Sequence, residues 1–155
     1  MMSIKTKNIY ISYNHIDQYF KDKLDKIIGN KYHIKSSPQE YSIKNNFNKY
    51  LEQLESEDED IVIVLMGTDT YKTKSVNWDI EYGLSHDSCI IGLCLPTNDD
   101  YRKKTVNTNK LPMKFVNNLY TGYASYFDWT DNIDELEKYI SITYNQKMNK
   151  HAIMF

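Results

Sequence analysis

The sequence has few of the features that mark secreted, membrane-spanning or disulfide-stabilised proteins. It contains only two cysteines, Cys89 and Cys94, and their spacing along one strand points them to opposite faces, so we expect buried free thiols. The longest apolar runs, IVIVLMG and IIGLCLP, are far shorter than the roughly 20 residues of a membrane-spanning helix. The segment MMSIKTKN carries lysines without a following apolar stretch, which predicts no secretory signal. These absences together favour a soluble protein of the reducing cytoplasm.

The chain also lacks an excess of charge of either sign. Lysine and arginine number 19 and the acids 21, which gives a formal net charge of -2. Because nucleic acids and anionic membranes attract basic surfaces, this balance predicts neither as a partner. What the sequence does have is enough apolar residues for a core, 41% of its 155, and we treat residues 1–155 as a single domain.

The apolar residues follow two periods that alternate along the chain. Short runs rich in Ile, Val and Tyr predict strands, and runs with apolar residues three and four apart predict amphipathic helices. The predicted strands are residues 8–13, 31–35, 61–66, 89–95 and 123–129. The predicted helices are residues 15–28, 43–56, 75–86 and 132–146. Residues 97–118 are predicted to be polar and irregular, and the tail 147–155 is expected to pack its apolar end on the body.

This alternation predicts an α/β protein with a flavodoxin-like fold. The strands at 61–66 and 89–95 are apolar throughout, as expected for central parallel strands that are covered on both faces. We therefore predict a five-stranded, mostly parallel sheet in the order 2-1-3-4-5, with helices on both faces. Ligands of such sheets bind beyond the carboxyl ends of the strands, where strands 1 and 3 diverge. The candidate site therefore comprises residues 12–17, residues 67–71 and the start of the helix at 75–86.

A shortage of glycine at this place excludes the usual nucleotide loops of the fold. The segment SYNHID after the first strand has no glycine, so neither an FMN phosphate loop nor a G-x-G-x-x-G loop is expected. A phosphoryl-accepting receiver is a weak alternative, with Asp69 slightly beyond the third strand and Asp17 inside the first helix. No metal site is expected, because no Cys/His cluster has zinc-ligand spacing. The histidines are assigned surface or capping roles: His15, His33, His86 and His151.

These exclusions leave a cleft of aromatic, hydroxyl, amide and acidic side chains. Such a cleft suits a nucleotide that is held by ring stacking and by hydrogen bonds to ribose. The residue types and their spacing support no sharper statement than that.

Three segments resemble a known family. NIYISYNHID, IVIVLMGTDTYKTKSVNWDIEYGL and IIGLCLP are similar, in this order, to the TIR-like domain of the Thoeris antiphage defence system. The motifs of that family are F-x-S-[FY]-x-x-x-D, V-[VL]-[IL]-[IM]-G-x-x-T and [WY]-V-x-[WY]-E-I, and the similarity runs from about Asn8 to Pro96.

The resemblance implies a flavodoxin-like TIR fold that uses NAD+ as a substrate and holds no permanently bound cofactor. Enzymes of this kind break the bond between nicotinamide and ribose. Thoeris members make a cyclic or modified ADP-ribose messenger, which activates a separate effector protein. The resemblance also implies self-assembly of TIR domains, in which the loop after the second strand, with Ser36 and Ser37, takes part.

The resemblance further places a catalytic glutamate on the third predicted helix. In register, the motif [WY]-V-x-[WY]-E-I covers residues 75–80, so Asp79 replaces the glutamate and Ser75 replaces the first aromatic residue. Glu81 lies two residues later, about 200° around the helix from Asp79, so only one of the two can face the cleft. We predict Asp79 as the catalytic carboxylate and keep Glu81 as the alternative.

The shorter side chain of Asp79 leaves two functions open. Aspartate is shorter than glutamate by one C–C bond, roughly 1.5 Å. A misplacement of about 1 Å can cost on the order of a hundredfold in rate. The domain is therefore either an enzyme that cleaves NAD+ or a non-catalytic TIR-like binding or scaffold module.

Six further residues match the motifs and are predicted to bind the nucleotide: Ser12, Tyr13, Asn14, Asp17, Gly67 and Trp78. Tyr13 offers a ring for stacking, Asn14 a hydrogen bond to ribose or a carboxamide, and Gly67 a close approach of the backbone. Most also have a structural alternative. Tyr13 and Trp78 would pack in the core, Asn14 would cap a helix, Asp17 would be a first-turn acid, and Gly67 would turn the chain.

Overall fold

The computed structural model describes residues 7–36 and 60–153, with side chains as far as residue 149. The strands are β1 Asn8–Ser12, β2 His33–Ser36, β3 Ile61–Met66, β4 Cys89–Cys94 and β5 Ala124–Asp128. The α-helices in this part of the chain are α1 Gln18–Ile28, α2 Lys74–Ser85, α3 Met113–Thr121 and α4 Ile133–Ile153. Short 3₁₀ turns precede three of the helices, at His15–Asp17, Thr70–Lys72 and Thr108–Lys110. The predicted helix at 43–56, Ser37 and the apolar end of the predicted tail lie outside the described residues.

The sheet confirms the predicted strand order. All five strands are parallel, in the order β2-β1-β3-β4-β5. Every residue of β3 and β4 is buried, because helices cover both faces of the sheet. On one face, Leu24 of α1 and Leu136 of α4 belong to the core. On the other face, Ile80 of α2 and Phe115 of α3 belong to the core.

The helix α2 packs on the sheet through residues that are three and four positions apart. Ile80 and Gly83 are buried, and Leu84 is partly buried. A Cβ atom on Gly83 would lie 2.7 Å from Cγ2 of Val62, so only glycine lets α2 approach β3 this closely. This contact sets the rotation of α2 about its axis, and hence the direction of Asp79.

The prediction for residues 97–118 is wrong in its second half, where the structure has a 3₁₀ turn and most of α3. Phe115 is fully buried and packs edge-on against Tyr126 of β5, with ring centroids 5.6 Å apart. Pro112 precedes the helix, and Gly122, with a φ of 84°, ends it. This proline-to-glycine signal was present in the sequence. Phe115 is the only fully buried residue of this helix, so the polar residues of the segment outweighed its helical pattern.

The last helix is also longer than predicted. It continues past residue 146 to Ile153, so the predicted tail is helical as far as it is described. None of the helices in residues 7–36 and 60–153 has the length and apolarity that crossing a bilayer requires. Cys89 and Cys94 are both buried and free, as predicted. Burial raises the pKa of the Cys89 thiol to about 11.

Candidate functional site

The crevice predicted between β1 and β3 is formed by the segments that leave these strands in opposite directions. The chain after β1 enters α1, which packs on one face of the sheet, and the chain after β3 enters α2, which packs on the other. Nδ2 of Asn14 donates a hydrogen bond to Oγ1 of Thr73 over 2.8 Å. This bond joins the segment after β1 to the residue before α2 and draws the two sides of the crevice together.

Asp79 faces this junction from α2. Only 1% of its surface is exposed, and each carboxylate oxygen accepts a hydrogen bond from a hydroxyl of β1. Oη of Tyr10 donates to Oδ1 over 2.9 Å, and Oγ of Ser12 donates to Oδ2 over 2.5 Å. Tyr10 and Ser12 point to the same face because side chains alternate along a strand. A buried carboxylate needs such donors, since an unpaired charge is costly away from water.

Glu81 lies on a different side of the same helix. About half of its side chain is exposed, 51%, and its Oε1 is 4.0 Å from Nζ of Lys114 in α3. The two acids of α2 are therefore separated as the helix period predicts. Asp79 points to β1, and Glu81 points to α3 and solvent.

Tyr10 is a site residue that the sequence reasoning missed. It occupies the first position of the first-strand motif, where the resembling family has phenylalanine. A tyrosine in the middle of β1 is typical of strand composition, but Tyr10 lies two residues before Ser12 and so shares its face. The sequence feature that could have identified Tyr10 is its hydroxyl, which the family's phenylalanine lacks and which lies on the same strand face as Ser12.

Hydrogen bonds to side chains hold the segment after β3 in place. Oγ1 of Thr70 accepts from the backbone N–H of Gly67 over 2.8 Å and donates to the carbonyl of Leu65 over 3.0 Å. Nδ2 of Asn98 donates to the carbonyls of Met66 and Gly67 over 3.1 and 3.3 Å. Thr70 lies in the predicted segment 67–71, at the threonine of the G-x-x-T motif, but was given no role, and Asn98 was not predicted. They position the wall of the crevice opposite β1.

Asp17 is buried at the same junction without the hydrogen bonds that Asp79 has. Its exposed fraction is 5%, and its Oδ2 has no hydrogen-bond partner among the described residues. The carboxyl lies over Gly67, where a Cβ atom would collide with both of its oxygens. The pKa of Asp17 is raised from its usual 3.8 to about 6, mainly by burial and also by the charge of Asp69, while His15 opposes the change.

Replacing Asp17 with asparagine is expected to stabilise the protein above pH 6. Since its folded pKa of about 6 exceeds the usual 3.8, its contribution to stability is present in acid and lost as the pH rises through 6. Asparagine removes a buried charge whose cost is on the order of 1–3 kcal/mol. We therefore expect Asp17→Asn to raise Tm by several degrees near pH 7.5 and to have little effect near pH 4.

Thermal denaturation between pH 4 and 8 measures this difference. The matched control is Asp22→Asn, since Asp22 is an exposed acid of α1 whose carboxylate accepts from Gln18. A Tm at pH 7.5 that is lower for Asp17→Asn than for the wild type would contradict the expectation.

The remaining predicted residues are distributed between the crevice and the core. Tyr13 is only 7% exposed in the core beneath α1 and α4, and its Oη donates to Oε1 of Gln18 over 2.9 Å. Asn14, besides bonding Thr73, accepts from the N–H of Ile16 through Oδ1 over 3.0 Å and so begins the 3₁₀ turn. Trp78 is partly buried on α2. The structure thus brings Ser12, Asn14, Asp17, Gly67 and Asp79 to the junction and places the ring of Tyr13 in the core.

Two cavities lie at the carboxyl edge of the sheet. One, of about 80 Å³, adjoins Gly67 and Thr68, and Lys110 is among its lining residues. The other, of about 380 Å³, lies beyond β5, and Trp129 and Tyr139 are among its lining residues. Ligand pockets usually measure roughly 300–1,000 Å³. The larger cavity falls in this range, but Asp79 is not among its lining residues.

The site has no metal-binding arrangement in the described residues. Across 7–36 and 60–153, no group of three or more His, Cys, Asp or Glu side chains is placed to hold a metal ion. The chemistry available at the junction is that of carboxylates, hydroxyls and amides.

Comparison with known proteins identifies one family. Residues 10–100 match the family model described as "Thoeris protein ThsB, TIR-like domain". No curated protein is significantly similar to this chain. The matched residues contain the part of β1 from Tyr10 to Ser12 together with β3, β4 and α2, and therefore every residue placed at the junction.

Proposed function

The chain belongs to the family of the Thoeris ThsB TIR-like domain, and from this premise we propose that it is a defence enzyme that cleaves NAD+. Its substrate would be NAD+ itself, with no permanently bound cofactor. The products would be nicotinamide and a cyclic or modified ADP-ribose messenger that activates a separate effector protein. Cleavage breaks the bond between the nicotinamide nitrogen and C1′ of ribose.

The observation that carries this proposal is the carboxylate of Asp79 at the junction of β1 and α2. Departure of nicotinamide leaves positive charge on the ribose, as in glycoside cleavage. A preorganised carboxylate stabilises that charge without having to reorient during the reaction. Tyr10 and Ser12 hold both oxygens of Asp79 in place, so its position is set before substrate binds.

The contact between Tyr10 and Asp79 supports a retained carboxylate function. Both residues depart from the family motifs, Tyr10 by an added hydroxyl and Asp79 by a missing methylene. The structure brings these two departures into direct contact, at 2.9 Å between Oη and Oδ1. The tyrosine hydroxyl fills space that a longer acid would need, and it fixes the shorter acid.

The burial of Asp79 favours a second candidate function, a non-catalytic TIR-like module for assembly or binding. With 1% of its surface exposed and both oxygens bonded, Asp79 could serve only to fasten α2 to β1. In that case the crevice would stay closed, and the chain would act through protein partners or through its own copies.

Two measurements separate these candidates. Nicotinamide release is followed with the purified full chain and NAD+, and small molecules are profiled by mass spectrometry in cells that express the protein, with and without phage. The enzyme predicts nicotinamide and an ADP-ribose-type product in at least one of these settings. Phage protection without any NAD+ turnover, kept in an Asp79→Asn variant, would instead support the module.

A further inference from the structure

The junction contains two buried carboxyl groups, Asp79 and Asp17, that differ in their hydrogen bonding. Each oxygen of Asp79 accepts a hydrogen bond, whereas Oδ2 of Asp17 has no partner among the described residues, although Asp17 is only 5% exposed. A buried carboxylate without a partner destabilises the fold. Functional sites often contain buried ionisable groups that cost stability. The free lone pair on Oδ2 of Asp17 can accept a proton.

We propose that Asp17 is the general base of the reaction and accepts the proton of the hydroxyl that attacks C1′ of the ribose. This inference rests on the proposed NAD+ cleavage. It assigns the two carboxylates different tasks: Asp79 stabilises the charge of the ribose, and Asp17 removes a proton from the acceptor.

The same bonds break and form whether the acceptor is water or a hydroxyl of the substrate. The bond between C1′ and the pyridinium nitrogen breaks, and its electron pair leaves with nicotinamide, which becomes neutral. The acceptor oxygen, from water or from another hydroxyl of the same ADP-ribose unit, forms a bond to C1′. Its proton passes to the carboxylate of Asp17 and then to solvent. Water yields ADP-ribose, and an internal hydroxyl yields a cyclic product.

The placement of Asp17 suits this task. It follows β1, the strand whose Ser12 holds Asp79, and its carboxyl lies over Gly67 at the end of β3. Both carboxylates therefore belong to the crevice between the carboxyl ends of β1 and β3, where ligands of this sheet type bind. For the substrate to reach Asp17, the segment from Gly67 to Thr73 has to move, which breaks the hydrogen bonds of Thr73 with Asn14, of Thr70 with Leu65 and of Gly67 with Asn98.

The charges around Asp17 keep it useful as a base near neutral pH. His15 of its own turn favours the ionised form, and Asp69 in the segment after β3 opposes it. Asp69 is itself 3.9 Å from Nζ of Lys72. Burial and Asp69 outweigh His15, so the pKa of Asp17 is raised to about 6, close to the pH at which a general base works best.

The test compares two acceptors, of which only one carries a proton to be removed. Labelled nicotinamide attacks C1′ through its ring nitrogen in a base-exchange reaction, and no base is needed. We expect Asp17→Asn to lower formation of ADP-ribose and cyclic product by on the order of a hundredfold, while base exchange stays within about threefold of the wild type. Asp79→Asn is expected to lower both reactions, and the exposed control Asp22→Asn neither.

The pH dependence of product formation is a second measurement. It tests the role of Asp17 even if the wild type shows no base exchange. Product formation by the wild type should fall as the pH drops through about 6, and Asp69→Asn should move this fall to lower pH. Three results would overturn the role of Asp17 without affecting the proposed NAD+ cleavage. Asp17→Asn could lower product formation and base exchange equally, it could lower neither reaction, or Asp69→Asn could leave the pH profile of product formation unchanged. Absence of all turnover in the wild type would overturn the proposed function, and this inference with it.

Discussion

Asp79→Asn is expected to slow NAD+ cleavage by on the order of a hundredfold to a thousandfold, the usual loss when a preorganised electrostatic group is removed. Asparagine has nearly the same shape, so it keeps contact with Tyr10 and Ser12 but lacks the negative charge that stabilises the ribose. Release of nicotinamide by the purified chain measures the effect. A thermal melt of the same sample shows whether the fold is retained.

Glu81→Gln is the matched control for Asp79→Asn. It removes the same charge from the same helix, two residues away, at a side chain that is 51% exposed and 4.0 Å from Lys114. Surface ion pairs contribute about 0–1 kcal/mol, so stability should change little. Activity should stay within about twofold of the wild type, since this carboxylate does not face the crevice. Loss of cleavage in Glu81→Gln with normal cleavage in Asp79→Asn would refute the assignment.

Tyr10 and Asp79 are expected to be strongly coupled in a double-mutant cycle. Tyr10→Phe removes a hydrogen bond to the buried carboxylate of Asp79, at a cost of about 1–3 kcal/mol. Asp79→Glu pushes a longer acid against the Tyr10 hydroxyl, which lies 2.9 Å from the present oxygen, and such overpacking costs about 1–3 kcal/mol. In the double variant the missing hydroxyl makes room for the added methylene. We therefore expect the two losses to be less than additive by about 0.5–3 kcal/mol.

Urea denaturation of the four proteins gives this coupling energy. If NAD+ is cleaved, the double variant should also regain most of the activity that Asp79→Glu loses, because phenylalanine with glutamate is the combination in the family motifs. Leu119→Val, at a partly buried position of α3 away from the junction, serves as a control that should add independently to Asp79→Glu. Strict additivity of Tyr10→Phe and Asp79→Glu would show that the hydroxyl does not compensate for the shorter acid.

Much of the fold follows from local periodicity. The apolar runs that became β3 and β4 needed covering on both faces, and the alternation with helices left a parallel sheet as the natural arrangement. The spacing within α2 likewise separated Asp79 from Glu81, because both lie on one helix and their angle is set by its period. Helical spacing is also present in α3, where Phe115, Val116 and Leu119 belong to one core cluster, but the many polar residues of 97–118 obscured it.

The sequence by itself determined the strand order, the angle between the two acids of α2 and the segments that meet at the junction. Only the tertiary structure decided what those acids contact. The bonds from Tyr10 and Ser12 to Asp79 span 69 and 67 positions of the chain, so they depend on how α2 is rotated against β1. The position of the Asp17 carboxyl over Gly67, with Oδ2 unpartnered among the described residues, depends in the same way on the approach of two loops. Periodicity carries information about one element at a time, whereas hydrogen bonding and burial arise where separate elements pack together.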